Sequence, residues 1–143
     1  MARTAIRARG EKAKAEGVAG MHEITLALLN ASISADTRAR LPLAVAFVRE
    51  SLMRQDGEAY ARSCEALADT QGAAVDAIAA PVLLVTGDED AVAPPQAVQA
   101  MAARLRRAPS VRVVVLPRCG HWTPIERPEE CARELRDFLA AQR

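Results

Sequence analysis

"PVLLVTGDEDAVAPP", residues 81 to 95, decides how this chain folds. Pro81 opens it, Val82 to Thr86 form an apolar and β-branched run, and Gly87 begins a short acidic turn. A continuous run of this kind, rather than an alternating one, predicts a strand covered on both faces. Pro94 and Pro95 then suit the first turn of a helix, along which Val98, Met101 and Leu105 recur on one side. The same order follows once more. "VRVVVL", residues 111 to 116, reads as a second buried strand, and a last helix from about Pro128 places Cys131, Leu135, Phe138 and Leu139 on one stripe. Strand, helix, strand, helix in this order predicts parallel strands joined by a right-handed crossover.

Upstream of Pro81 the pattern is helical. Residues 18 to 30 set Val18, Met21, Leu28 and Leu29 along one side. A helix from Pro42 carries Val45, Val48 and Leu52, and Asp56 is a suitable N-cap for a helix with Tyr60, Cys64 and Leu67 on one face. "AVDAIA" predicts a short helical turn before the first strand. The expected organisation is therefore a helical region, 1–80, followed by a βαβα region, 81–143, in the α/β class. Two parallel strands do not make a stable sheet alone. The second region reads as one end of a larger sheet.

Composition narrows the function classes. The 143 residues are half hydrophobic and about a quarter charged, the balance of a globular domain long enough to bury a core. Aromatics make up only 3%, so alanine, valine and leucine must build that core. A net charge of +1, with arginine and glutamate interspersed, offers no basic face for nucleic acid or anionic membrane. The apolar runs are too short to span a bilayer. The first residues lack the apolar segment of a secretory signal, and Glu11 and Glu16 disfavour a transit peptide. Cys64, Cys119 and Cys131 are an odd count at no metal-ligand spacing, which fits thiols in a reducing cytoplasm. Cys119 and His121 form a C-x-H pair without the further ligands a zinc site needs. Neither a metal nor a cofactor is expected. "RLRR", residues 104 to 107, reads as a helix C-terminal turn complementing the dipole.

In open parallel sheets, reactive groups gather in loops beyond the carboxyl ends of the strands. "GDED", Gly87 to Asp90, follows the first strand, and "PRCGH", Pro117 to His121, follows the second. Neighbouring strands would present an acid and an imidazole from one rim. A carboxylate bonded to a histidine ring fixes its tautomer and stabilises the imidazolium formed when the ring takes a proton. Such a pair is a general base that lacks only a nucleophile. Asp88 and Glu89 compete with Asp90 for the acid role, and His22 reads as an exposed helix residue.

"PVLLVTGDEDAVAPP", "VRVVVLPRCGHWTPIERPEE" and the closing "LRDFL" resemble the C-terminal end of the α/β-hydrolase superfamily. "RARGEKAKAEGVAGM" and "EAYARSCEALADT" are similar to the lid of its 3-oxoadipate enol-lactonase-like members. The resemblance implies a partial α/β-hydrolase fold, a lid followed by the last two strands. It assigns the acid to Asp90, at the fourth position of a G-x-x-D turn, and the base to His121, in a G-H pair. It implies hydrolysis of a small apolar ester or lactone. Trp122 packs beside the histidine and should border the pocket, while Tyr60, Ser63 and Cys64 are candidates to line it from the lid, with ordinary helix core as their alternative. The departure is as informative. No G-x-S-x-G occurs in the chain, and Ser32, Ser34, Ser51, Ser63 and Ser110 all lack the flanking glycines of a nucleophile elbow. The expectation is an incomplete triad, inactive alone, that partners an N-terminal hydrolase half or self-associates through its exposed sheet edge. A non-catalytic module that binds a small ligand, or that pairs with a complete hydrolase by strand addition, is the competing reading.

Overall fold

The computed structural model describes residues 3–142. The chain forms two compact units, the first from residues 1–31 and 45–72, the second from 32–44 and 73–143. The two units are interleaved along the sequence.

The first unit is helical. α1 (Arg3–Ser32) bends at Gly17, whose φ of 54° and ψ of −125° break the helix into two arms. That left-handed backbone is open to glycine at little cost. Lys12, on the first arm, pairs with Glu16 and also reaches Glu23 on the second. α3 (Pro42–Met53) buries Val48 and Leu52. α4 (Gly57–Asp69) starts where Asp56 accepts the Ala59 amide at 2.9 Å, the expected N-cap. Its Cys64 and Ala68 pack with Ile6, and its Tyr60 touches both this cluster and the one formed by Ala13, Met21 and Ile24. Small side chains meet at close range here, as the alanine-rich composition requires. Two positions expected in this core lie outside it: Val18 is 84% exposed and Leu67 is 58% exposed. Each follows the helical period but sits at the stripe's edge. Beside the bend the buried face runs through Met21, Ile24 and Thr25 instead, and on α4 through Ala61, Cys64 and Ala68.

The second unit holds α2 (Ala35–Arg40), a 3-10 turn at Val75–Ala77, β1 (Val82–Gly87), α5 (Pro95–Ala102), β2 (Val111–Leu116), α6 (Thr123–Glu126) and α7 (Pro128–Ala140). β1 and β2 are parallel and in register from Val82 opposite Val111 to Gly87 opposite Leu116. Only the carboxyl ends of the strands are buried; Val82 to Val85 are half-covered and Val115 is exposed. α5 stops at Ala102, so the 104–107 arginines fall in turns beyond it rather than in its last helical turn. Leu105 nevertheless packs inward, while Met101 stays exposed. On α7 the expected stripe forms, but Leu135 and Leu139 are more than half exposed. These strands and helices carry more apolar surface than their own unit covers. Among the described residues no helix is long and apolar enough to cross a membrane.

Candidate active site

β1 ends in a turn that buries its acid. The Asp88 amide donates to the Leu116 carbonyl at 3.0 Å, and the Asp90 amide to Gly87 at 3.3 Å. Asp90 is only 4% exposed. Its Oδ1 accepts the amides of Val92 and Ala93, both at 2.8 Å, and its Oδ2 lies 3.0 Å from His121 Nδ1. Burial pushes the carboxyl up, but the Ala93 amide, the His121 ring and the Val92 amide outweigh it and hold Asp90 below the usual aspartate range. Thr86 backs the turn, its hydroxyl 2.8 Å from the Ala93 carbonyl and 3.3 Å from Asp90 Oδ2. Asp88 has a different job. Its Oδ1 accepts the Cys119 amide at 3.1 Å and so ties the two loops together. Burial raises its carboxyl, and the backbone amides led by Cys119 and Arg118 bring it below the ordinary value.

β2 ends in the loop that carries the imidazole. Arg118 takes a left-handed φ of 54°, and Arg127 donates to its carbonyl, holding a backbone shape that a non-glycine residue rarely adopts. Cys119 is fully buried, and its carbonyl accepts the Glu89 amide at 2.9 Å. The loops cross without room for a side chain: a Cβ on Gly87 would lie 2.0 Å from the Cys119 carbonyl oxygen. Gly120 is equally confined, since its Cβ would lie 2.4 Å from the Ser32 carbonyl oxygen. The two glycines that introduce the acid and the histidine are there because the chain segments touch.

His121 donates its backbone amide to the Ser32 carbonyl at 2.8 Å, and its side chain remains 40% exposed. An ionised carboxylate only accepts, so Nδ1 carries the hydrogen toward Asp90 and the neutral ring keeps a lone pair on Nε2. Among the described residues Nε2 has no hydrogen-bond partner. The arrangement can take a proton at Nε2 and stabilise the resulting imidazolium. Trp122 stands edge-on to the ring, centroids 6.3 Å apart at 78°, with Nε1 donating to Ser32 Oγ at 2.9 Å. The indole is thus a bonded neighbour of the histidine.

The structure brings Asp90, His121 and Trp122 together in the second unit. Tyr60, Ser63 and Cys64 are on α4 of the first, where Tyr60 and Cys64 belong to the helical packing and the exposed Ser63 donates its hydroxyl to the Ala59 carbonyl at 3.0 Å. Cys119 is no rival nucleophile: burial, aided by the charge of Glu126, pushes its thiol up to about 12. Among the described residues no group of three or more metal-ligating side chains is gathered. Glu126 is the residue that sequence reasoning missed. It is 1% exposed and accepts three backbone amides, from Ser34, Gly120 and Trp122. In "PIERPEE" it reads as one surface charge among several; its flanking prolines, Pro124 and Pro128, are the only hint of a confined site.

The sequence pattern of the Alpha/beta hydrolase family matches residues 7–134. The chain belongs to this family. Among curated relatives, a pimeloyl-[acyl-carrier protein] methyl ester esterase of Aromatoleum aromaticum is 38% identical over 76 residues, covering 52% of this chain and 29% of that one. A thermophilic esterase from Thermogutta terrifontis superposes with a TM-score of 0.86 at 24% identity over 98% of this chain and 50% of its own. The enol-lactonase from Burkholderia xenovorans superposes at 0.81 with 30% identity, over 92% of this chain and 48% of its own. The chain therefore spans about half the length of these solved hydrolases and under a third of that curated relative.

Proposed function

We propose that this hydrolase chain supplies the acid and base of a Ser-Asp-His-type triad acting on a small apolar ester or lactone. Asp90 orients His121, and Nε2 of His121 takes the proton of a nucleophile carried elsewhere, since no G-x-S-x-G occurs in the 143 residues. The observation that carries the reading is the 3.0 Å Asp90–His121 contact on a ring that stays 40% exposed and whose Nε2 has no partner among the described residues. The substrate class follows the esterase and enol-lactonase among the relatives. In this reading Trp122 borders the pocket, and the three free thiols suit the cytoplasm. The half-covered β1 supports docking of an N-terminal hydrolase half along its free edge.

The test is complementation. The purified chain is assayed with p-nitrophenyl butyrate and a simple lactone, alone and with an N-terminal segment carrying strand, G-x-S-x-G and helix. Turnover is expected only in the mixture, and His121→Ala should remove it while the two pieces still co-elute. Equal turnover by that variant overturns the base role. The same half-covered strands favour a second reading, in which the chain binds a complete hydrolase by strand addition and catalyses nothing. In that case the wild-type pair shows no turnover.

A further inference from the structure

A carboxylate removed from water is costly unless donors replace the solvent. Glu126 has three, and their positions are informative. Oε2 accepts the amides of Ser34 at 3.0 Å and Gly120 at 3.1 Å, while Oε1 accepts that of Trp122 at 3.2 Å. Gly120 and Trp122 are the two residues that flank His121 in the chain. The amide between them, that of His121, is held by the Ser32 carbonyl. Three consecutive N–H groups of the histidine loop are therefore fixed, two of them by one side chain. Through Ser34 the same carboxylate also holds the segment that carries the Ser32 carbonyl.

We infer that Glu126 is a positioning residue: by gripping the backbone on either side of His121 it sets the ring at hydrogen-bonding distance from Asp90. Asp90 is fixed independently, by the Val92 and Ala93 amides of its own loop. Acid and base thus meet only if the histidine loop is held at the right height: Asp88 and the Glu89 amide tie it at Cys119, and Glu126 holds it on either side of His121. A glutamine of the same shape cannot replace it. Its single oxygen can serve one side of the carboxylate, but its NH2 must then face an amide N–H on the other, donor against donor. The inference rests on the dyad reading of Asp90 and His121, and the test separates the two.

His22 and His121 are the only histidines, so the chain labelled with 15N-histidine gives two sets of ring signals in a long-range 1H–15N spectrum, with the exposed His22 as internal reference. Wild type should show His121 as a single Nδ1–H tautomer with a downfield Nδ1 proton, and Asp90→Asn should lose that proton. Its absence from wild type sinks the dyad and this inference together. With the dyad signal present, Glu126→Gln should retain amide dispersion and an unchanged His22, yet lose the downfield proton and mix tautomers at His121. A folded Glu126→Gln with the wild-type His121 signal overturns the positioning role and leaves the dyad standing. Should that variant not fold, segment 119–143 can be made synthetically, ligated at Cys119, with the Trp122 amide replaced by an ester. This removes one Glu126 bond and no side-chain atom. A weakened Nδ1 proton signal is expected, and an unaltered one overturns the proposal.

Discussion

The carboxyl rim of the two-stranded sheet and the strands beneath it have opposite characters. At the rim, Thr86, Gly87, Asp90, Leu116, Cys119 and Gly120 are all buried, and nearly every polar group has a partner within the same unit. Below it, Val82 to Val85 are half-covered, Val115 is open, and α7 leaves Leu135 and Leu139 exposed. The rim's geometry needs local backbone contacts, which this chain contains in full. Covering the strands needs neighbouring strands and helices, for which these residues do not suffice. A closely bonded rim can thus stand on strands that are only half-covered.

The sharpest attack on the rim is chemical. In the complemented enzyme, His121→Ala should lower kcat by about 10⁵-fold or more, and Asp90→Asn by about 10⁴-fold because the ring loses its imposed tautomer, both read with p-nitrophenyl butyrate. Similar KM values would place the losses in the chemical step; a loss confined to KM would break the assignment.

The next attack is steric. Gly87→Ala drives a Cβ into the Cys119 carbonyl, and should cost about 3 kcal/mol or more in urea unfolding. Val85→Ala, two residues back on the half-covered strand, should cost about 1 kcal/mol. Equal costs would erase the distinction between rim and strand.

Acid tests the same contrast more gently. Asp90 is held below the ordinary aspartate value, so its stabilisation is fully present above the unfolded value of about 4 and is lost as pH falls through the lower folded one. The stability gap between wild type and Asp90→Asn should narrow below about pH 4 in equilibrium unfolding. A gap constant with pH would show that the amide and ring contacts do not favour the ionised form. The smallest effect belongs to the open strand face: Val115→Thr should change the stability of the isolated chain by under about 1 kcal/mol while reducing concentration-dependent association in sedimentation.

What was readable beforehand follows the same division. Gly87, Asp90, Gly120 and His121 follow strands whose apolar runs are unmistakable, so topology alone puts acid and imidazole on one rim. The N-cap at Asp56 is local chemistry and is equally visible. Glu126 was not, because one of its three donors, the Ser34 amide, lies 92 positions away, and no local pattern separates it from Glu129 or Glu130. Val18 and Leu67 were misplaced for a related reason: periodicity gives the spacing of a helical stripe, while its edges depend on what packs alongside. The 104–107 arginines fell outside α5 because that helix ends early at Ala102, with the Ala103 amide closing back on Gln99.

The crossing at Gly87 has a consequence for anyone reshaping this protein. Because the backbone of one loop lies directly on the other, neither can be lengthened or re-angled alone; acid and imidazole travel as a single graft. Altered substrate preference would have to be sought in segments that do not share this crossing, and a transplant of the dyad to another scaffold would need both turns, their glycines and the buried glutamate moved as one block.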